Sequence, residues 1–334
     1  MAFLTDARGV MLNDQASLGF VQSNLANIET TVYARKYQNA DYARHVSVVT
    51  EGQAWAATTT FYATDTVGEA KFVTGASTDI PYVSMTRDQQ NAPNYMLGSG
   101  FEWNVEEANQ ALITGQSLSS ELPLASRQVI ERSLYQIAIT GKINALNTTS
   151  EKGLTGLIND AGVTSYVVAA TGTGASTFWK NKTPDQILFD VNTLLSGIPT
   201  ATAQVEYADT LRLPPSAFRY LSSVRLGNGD GSLTIMAFLK ANNIYTAEYG
   251  GPLDILPLPE LETAGASGQG RMIAYRNAPE VIRFWLPMPF MLLPVRSRSI
   301  LSFEGAGIAR TGGTQIKLTG AIRYADGITD GSGT

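Results

Sequence analysis

The chain has 334 residues, 44% of them apolar and 16% charged, with 31 glycines and a net charge of −5. It contains no cysteine, which excludes disulfides, thiolate metal sites and cysteine nucleophiles. The acidic balance speaks against a groove that tracks phosphates, and the charged share, low against roughly 25% in average soluble proteins, suggests an exterior largely covered by other chains.

The length allows two substantial domains or one elaborated fold. Asp6 and Arg8 interrupt the apolar residues of MAFLTDARGVML, unlike a secretory signal. Leu18, Val21, Leu25 and Ile28 recur at spacings of three and four, which predicts a helix over 15–29. The following segment is rich in tyrosine and charge without a period, and reads as an extended, loosely packed arm. Val46, Val48 and Val49 introduce the first strand.

Residues 55–63 are dense in Thr, Phe and Tyr, as strands are, and 82–103 return in the same manner, with Pro93 marking an edge or bulge. Between these flanks lies DTVGEAKFVTGASTDIP (65–81), the distal part of a hairpin. It is far longer than a tight turn, and its apolar residues Val67, Phe72, Val73 and Ile80 are too few for a core of its own.

Asn104 is a good N-cap, and Glu106 and Glu107 suit the first turn of a helix that ends at Gly115. Pro123 is placed to open the longest helix, of roughly 18 residues. Val129, Ile130, Leu134, Ile137 and Ala138 form its stripe, and Gly141 its end. GLTGLINDAGVT (153–164) is a glycine-punctuated link.

Residues 165–280 alternate strands and helices, the pattern of a compact α/β domain. Thr183 caps a helix with Pro184 at its first position, and Ile187, Leu188, Val191, Leu194 and Leu195 face inward. DTLRLPPSAFRYLSSV reads as a strand running into a proline-initiated helix, and GDGSLTIMAFLKANN as another helix. The most apolar stretch, FWLPMPFMLLPV (284–295), is shorter than the roughly 20 residues a spanning helix needs and holds three prolines, so it reads as buried structure in a soluble, not membrane-inserted, protein. The tail is β-rich.

Residues that could carry chemistry are sparse. The single histidine, His45, precludes a histidine triad partnered elsewhere or a multi-histidine metal site, and reads as solvent-exposed or a local hydrogen-bond partner. GNGDGS (227–232) lacks the further acids and closing Glu of a calcium loop and reads as a turn capping the next helix. No phosphate-binding loop occurs; TGTGAST (171–177) reads as a flexible surface loop. Glu106 and Glu107, or Glu260 and Glu262, are too close in sequence to face each other on a helix. No catalytic residue, cofactor or metal is expected. Tyr33, Arg35, Lys36, Tyr37, Tyr42 and Arg44 mix bases with aromatics, which suits an arm laid across a protein neighbour better than specific nucleic-acid binding.

The order of parts resembles the major capsid proteins of tailed bacteriophages with the HK97-type fold, and within them a branch first defined as a domain of unknown function. VGEAKFVTG and DIP match the family's extended loop (the E-loop). FEWNVEEANQAL matches the approach to its spine helix, ERSLYQIAITGK the spine helix, and GLTGLIND the link to its axial domain. ADTLRLPPSAFRYL matches the axial strand-to-helix start, and GIARTGGTQIKLTGAIRYADGI the closing peripheral strands. The likeness covers most of the chain and is weakest before residue 45.

The resemblance implies an α+β fold. Its parts would be an N-terminal arm (1–50), an E-loop hairpin (51–97), a peripheral domain with the spine helix (98–150), an axial domain (151–282) and return strands completing the peripheral domain (283–334). It implies self-assembly into hexamers and pentamers of an icosahedral shell enclosing double-stranded DNA, in the virion after assembly in the host cytoplasm. Scaffolding, portal and decoration proteins are candidate partners. Val67, Lys71, Phe72, Val73 and Ile80 would touch an adjacent subunit. Some relatives crosslink an E-loop lysine to a neighbouring asparagine; here Lys71 is the lysine on offer, no partner aligns, and it reads as a solvated charge or interfacial ion pair. An encapsulin-type compartment and a soluble oligomeric α/β enzyme are the alternatives.

Overall fold

The computed structural model describes residues 41–72, 75, 80–113, 118–144, 152–227 and 233–332. The helix expected over 15–29 and the bases and aromatics at 33–37 lie outside them, as does most of GNGDGS.

In chain order the elements begin with strands β1 (Val48–Val49), β2 (Thr58–Val67), β3 (Ser84–Pro93) and β4 (Tyr95–Asn104), then helices α1 (Val105–Ile113) and α2 (Leu118–Thr140). The middle of the chain holds β5 (Thr164–Val167), α3 (Pro184–Ala201), β6 (Thr210–Leu213), α4 (Pro215–Ser223), α5 (Ile235–Ala241), α6 (Ile244–Tyr249) and β7 (Asp254–Pro257). The tail supplies β8 (Arg271–Tyr275), β9 (Ile282–Trp285), β10 (Met288–Leu292), β11 (Arg296–Ser299), β12 (Ser302–Thr311), β13 (Gly313–Ile316) and β14 (Ile322–Asp326).

Four sheets result: the hairpin β2-β3, a three-stranded sheet β1-β9-β13, a four-stranded sheet in which β12 pairs β4, β10 and β11, and a five-stranded sheet ordered β5-β14-β8-β6-β7. The five-stranded sheet organises the molecule because both its faces are covered. Along β8, Ile273 and Tyr275 join one core while Met272 and Ala274 join another; on β14, Ile322 and Tyr324 join the first and Ala325 the second. That is the period-two alternation of a strand. The first core is completed by Ile130, Leu134, Tyr135, Ile137, Ala138 and Ile139 of α2. The second is completed by Ile187, Val191, Leu194, Leu195 and Ile198 of α3.

Helix α2 is 23 residues long, about 34 Å at 1.5 Å per residue. It starts before Pro123, which therefore sits inside the helix rather than at its first position. There the missing N–H costs one intrahelical bond near the start, and the proline φ still suits the helix. Val129, read as part of the inward stripe, is 49% exposed; Ile139 is buried in its stead.

The link after α2 closes on the helix end. Leu157 and Ile158 donate their N–H groups to Ala138 and Ile139, and Asn159 donates to Thr140, all carbonyls that the helix leaves unpaired. A Cβ on Gly141 (φ +72°) would stand 2.3 Å from the Leu154 carbonyl, and one on Gly156 2.2 Å from that of Ile139, so both positions need glycine.

Local signals elsewhere hold. Thr183 and Gln186 form a capping box at α3 behind Pro184, and α4 starts at Pro215. Leu188 is only partly buried. Helix α5 is capped by Thr234, which accepts from Ala237, rather than by the glycine turn before it.

Strand β14, expected among the strands returning to the peripheral part, lies between β5 and β8 in the five-stranded sheet. The apolar run 284–295 is buried only in its first half, from Phe284 to Met288; Leu292, Leu293 and Val295 are exposed.

Candidate assembly surfaces

The hairpin is built from ten paired positions, from Thr58↔Pro93 to Val67↔Ser84, about 34 Å at roughly 3.4 Å per residue. Strand β2 reaches further out than expected, and the return 82–103 is not one strand. It breaks at Asn94, after which β4 pairs β12 instead of continuing the hairpin. Asn94 is buried and locks the corner. Its N–H donates to Ala57 (2.8 Å), and its side-chain amide donates to Ala56 (3.1 Å) and Thr59 (3.0 Å). The hairpin root is further held where Arg283 and Lys317 approach the face of Phe61 at 5.5 and 6.0 Å.

Beyond this root most of the described hairpin residues are exposed. Of the expected contact residues, Val67 and Ile80 are more than half exposed, Phe72 is fully exposed and Lys71 is exposed; Val73 lies outside the described residues. Tyr62, Tyr82, Val83 and Met85 are also exposed, and sequence reading missed them. Tyr62 and Met85 share one face of the ribbon by register, while Val67 shares the other with Phe61. Apolar side chains thus stand on both faces, which an isolated protomer leaves in water.

A second surface lies on the four-stranded sheet. A groove of about 670 Å³ is lined by residues including Gly100, Glu102, Leu293, Arg296, Glu304 and Ala306. Its lining residues take part in two surface ion pairs, Arg296–Glu304 at 2.9 Å and Arg298–Glu102 at 2.7 Å. The nearby turn carries Ile300 and Leu301, both strongly exposed.

The acids that sequence reading paired are separated in use. Glu107 accepts from the Asn104 N–H at the start of α1. Glu260 accepts from the Tyr135 hydroxyl at 2.9 Å, and Glu262 accepts from Ser216 and Thr329. Among the described residues no group of three His, Cys, Asp or Glu could hold a metal ion, and no helix is long and apolar enough to cross a membrane.

His45 departs from expectation. It is buried, and its partner is distant in sequence: Arg212 Nε donates to its Nδ1 at 3.1 Å from 167 residues away. Val46 beside it is fully buried, and Tyr42 and Val48 pack against the same core, so this end of the expected loose arm is anchored while Asp41, Ala43 and Arg44 are exposed. Nothing local in the sequence marks this, because the partner is supplied by β6.

The model of the family described as "Major capsid protein" matches residues 68–328. The chain belongs to the major capsid protein family. Among solved structures this capsid protein is similar to the capsid of Myoviridae phage XM1, at 16% identity and a TM-score of 0.73, over 92% of this chain and 98% of that one. It is also similar to the chains of Microbacterium phage Oxtober96 (12% identity, TM-score 0.59, 93% and 98% covered) and Gordonia phage Cozz (12%, 0.56, 97% and 98%). No curated protein matches it. The capsid protein therefore has the α+β, HK97-type fold and a structural, non-enzymatic role in a capsid. The family assignment disfavours the encapsulin-type compartment and the soluble enzyme.

Proposed function

We propose that this capsid protein assembles into hexamers and pentamers of an icosahedral shell, and that the hairpin laps over an adjacent subunit through Val67, Lys71, Phe72, Val73 and Ile80. One observation carries the reading: a ribbon of ten paired positions with uncovered apolar side chains on both faces. A self-complementary subunit hides such surface against copies of itself. The net charge of −5 suits a shell that encloses double-stranded DNA without gripping it.

In this reading residues 1–50 are the arm, 51–97 the E-loop and 98–150 the start of the peripheral domain. Residues 151–282, joined by β14, form the axial domain, and the rest of 283–334 completes the peripheral domain. Scaffolding, portal and decoration proteins would join during assembly in the host cytoplasm.

Deleting residues 66–79 tests the reading. The protomer should keep its circular dichroism and thermal transition while electron microscopy shows few or no shells. Normal shells from the deleted chain would refute the hairpin's role, and loss of subunit folding would show that the segment serves the protomer.

A further inference from the structure

All five N–H donors of Arg212, a side chain wholly buried, are matched. Nε donates to His45 Nδ1 (3.1 Å), Nη1 to the carbonyls of Leu211 (3.3 Å) and Asp254 (3.1 Å), and Nη2 to the Arg44 carbonyl (2.9 Å) and Asp254 Oδ2 (2.8 Å). The guanidinium also lies 5.9 Å from the Tyr275 ring centroid, and the Tyr275 hydroxyl donates to the His45 carbonyl. Three of these contacts go to backbone or ring atoms of residues 44 and 45, so one buried cation from β6 and one phenol from β8 hold the segment that leads into β1. Ser47 adds hydrogen bonds to Asn277.

Because Arg212 Nε can only donate, His45 Nδ1 must carry its lone pair, and the imidazole is neutral with its proton on Nε2. A proton on Nδ1 would set donor against donor and place a second charge beside the guanidinium. We propose that Arg212 and His45 form an acid-sensitive latch that fastens residues 41–49 to the five-stranded sheet. The latch would open when His45 takes up a proton.

The surroundings reinforce this. Arg44 on the same turn and Arg212 on β6 oppose a charged imidazole, while Asp41 and Asp254 on β7 favour it. Tyr275 on β8 has its hydroxyl committed to the His45 carbonyl. The cleft that His45 lines also holds Tyr135 of α2, bound to Glu260, and Arg219 of α4. Burial first, then the Arg212 and Arg44 charges, bring His45 down from 6.5 to about 4. With the folded value depressed, the neutral latch keeps its full strength above about pH 6.5. Its opening equilibrium then rises about tenfold per pH unit as the pH falls toward 4, by proton linkage.

Hydrogen exchange measured by mass spectrometry reads this in free or assembled subunits alike, and so does not depend on the assembly reading. After correction for intrinsic exchange, amides of 44–49 in the wild type should show an opening constant rising about tenfold per pH unit between roughly 6.5 and 4. Amides of α3 should show no such slope. His45→Asn keeps a neutral acceptor for Arg212 and should flatten the slope. A flat wild-type profile, or an equal slope in His45→Asn, would overturn the latch, the second outcome assigning the pH response to carboxylates such as Asp41 or Asp254.

Discussion

Arg271 and Asp326 are register partners on the antiparallel strands β8 and β14, and Nε and Nη2 of the guanidinium reach both carboxylate oxygens at 2.6 and 2.9 Å. The third nitrogen donates to the Ile158 carbonyl at 2.6 Å, which ties the link after the long helix to the central sheet. Both side chains are nearly buried. Arg271→Ala would strand Asp326 without its cation, a loss of about 3–5 kcal/mol for a broken buried pair. Urea unfolding should show that loss, and a midpoint unchanged from wild type would contradict it.

Leu134 and Val129 belong to the same apolar stripe in sequence, yet only Leu134 is buried. Leu134→Ala should cost about 2–5 kcal/mol, the range for emptying a packed site. Val129→Ala should change protomer stability by less than about 0.5 kcal/mol. Thermal unfolding of the two variants side by side makes the comparison; similar losses would mean that Val129 is buried within the protomer.

Phe72→Asp should leave the unfolding midpoint of the protomer where it is, since the ring is fully exposed and surface substitutions stay within about ±0.5 kcal/mol. Shell yield by sedimentation should drop, because a charge would enter the proposed contact. Full yield would remove Phe72 from that contact.

Glu260 is raised above its usual value by burial, against the bond from Tyr135. A raised carboxyl costs stability once the unfolded chain ionises while the folded one resists. The penalty is absent well below 4.5 and appears as the pH rises through that value. Glu260→Gln keeps an acceptor for the Tyr135 hydroxyl and removes the penalty. It should stabilise the protomer at pH 7 and match wild type in strong acid. Denaturant curves at several pH values check this, and a variant less stable at neutral pH would argue for a needed charge.

The family likeness was legible because its signals are local and ordered: the glycines of 153–156, the prolines of 214–215 that open a helix, the sparse apolar residues of 65–81. The hairpin's exposed set was half legible. Phe72 and Ile80 stand out in a polar stretch, whereas Tyr62 and Met85 sit in segments whose Thr and Tyr content reads the same for a covered strand as for a bare one.

The sequence by itself determined what neighbours within one or two turns can decide. Thr183 with Gln186 closes the start of α3, Pro215 opens α4, and Gly141 ends α2, because caps and φ preferences act across a few residues. Only the tertiary structure decided which strands share a sheet and which polar groups are buried. Asn94 cuts an apparently continuous strand into a hairpin arm and a sheet strand through bonds to residues 56–59. Ile322–Asp326 joins β5 and β8 rather than the strands just before it. His45 is buried by an arginine 167 residues away. Contacts made across such distances leave no period and no spacing in either segment, so they become visible only when the chain is folded.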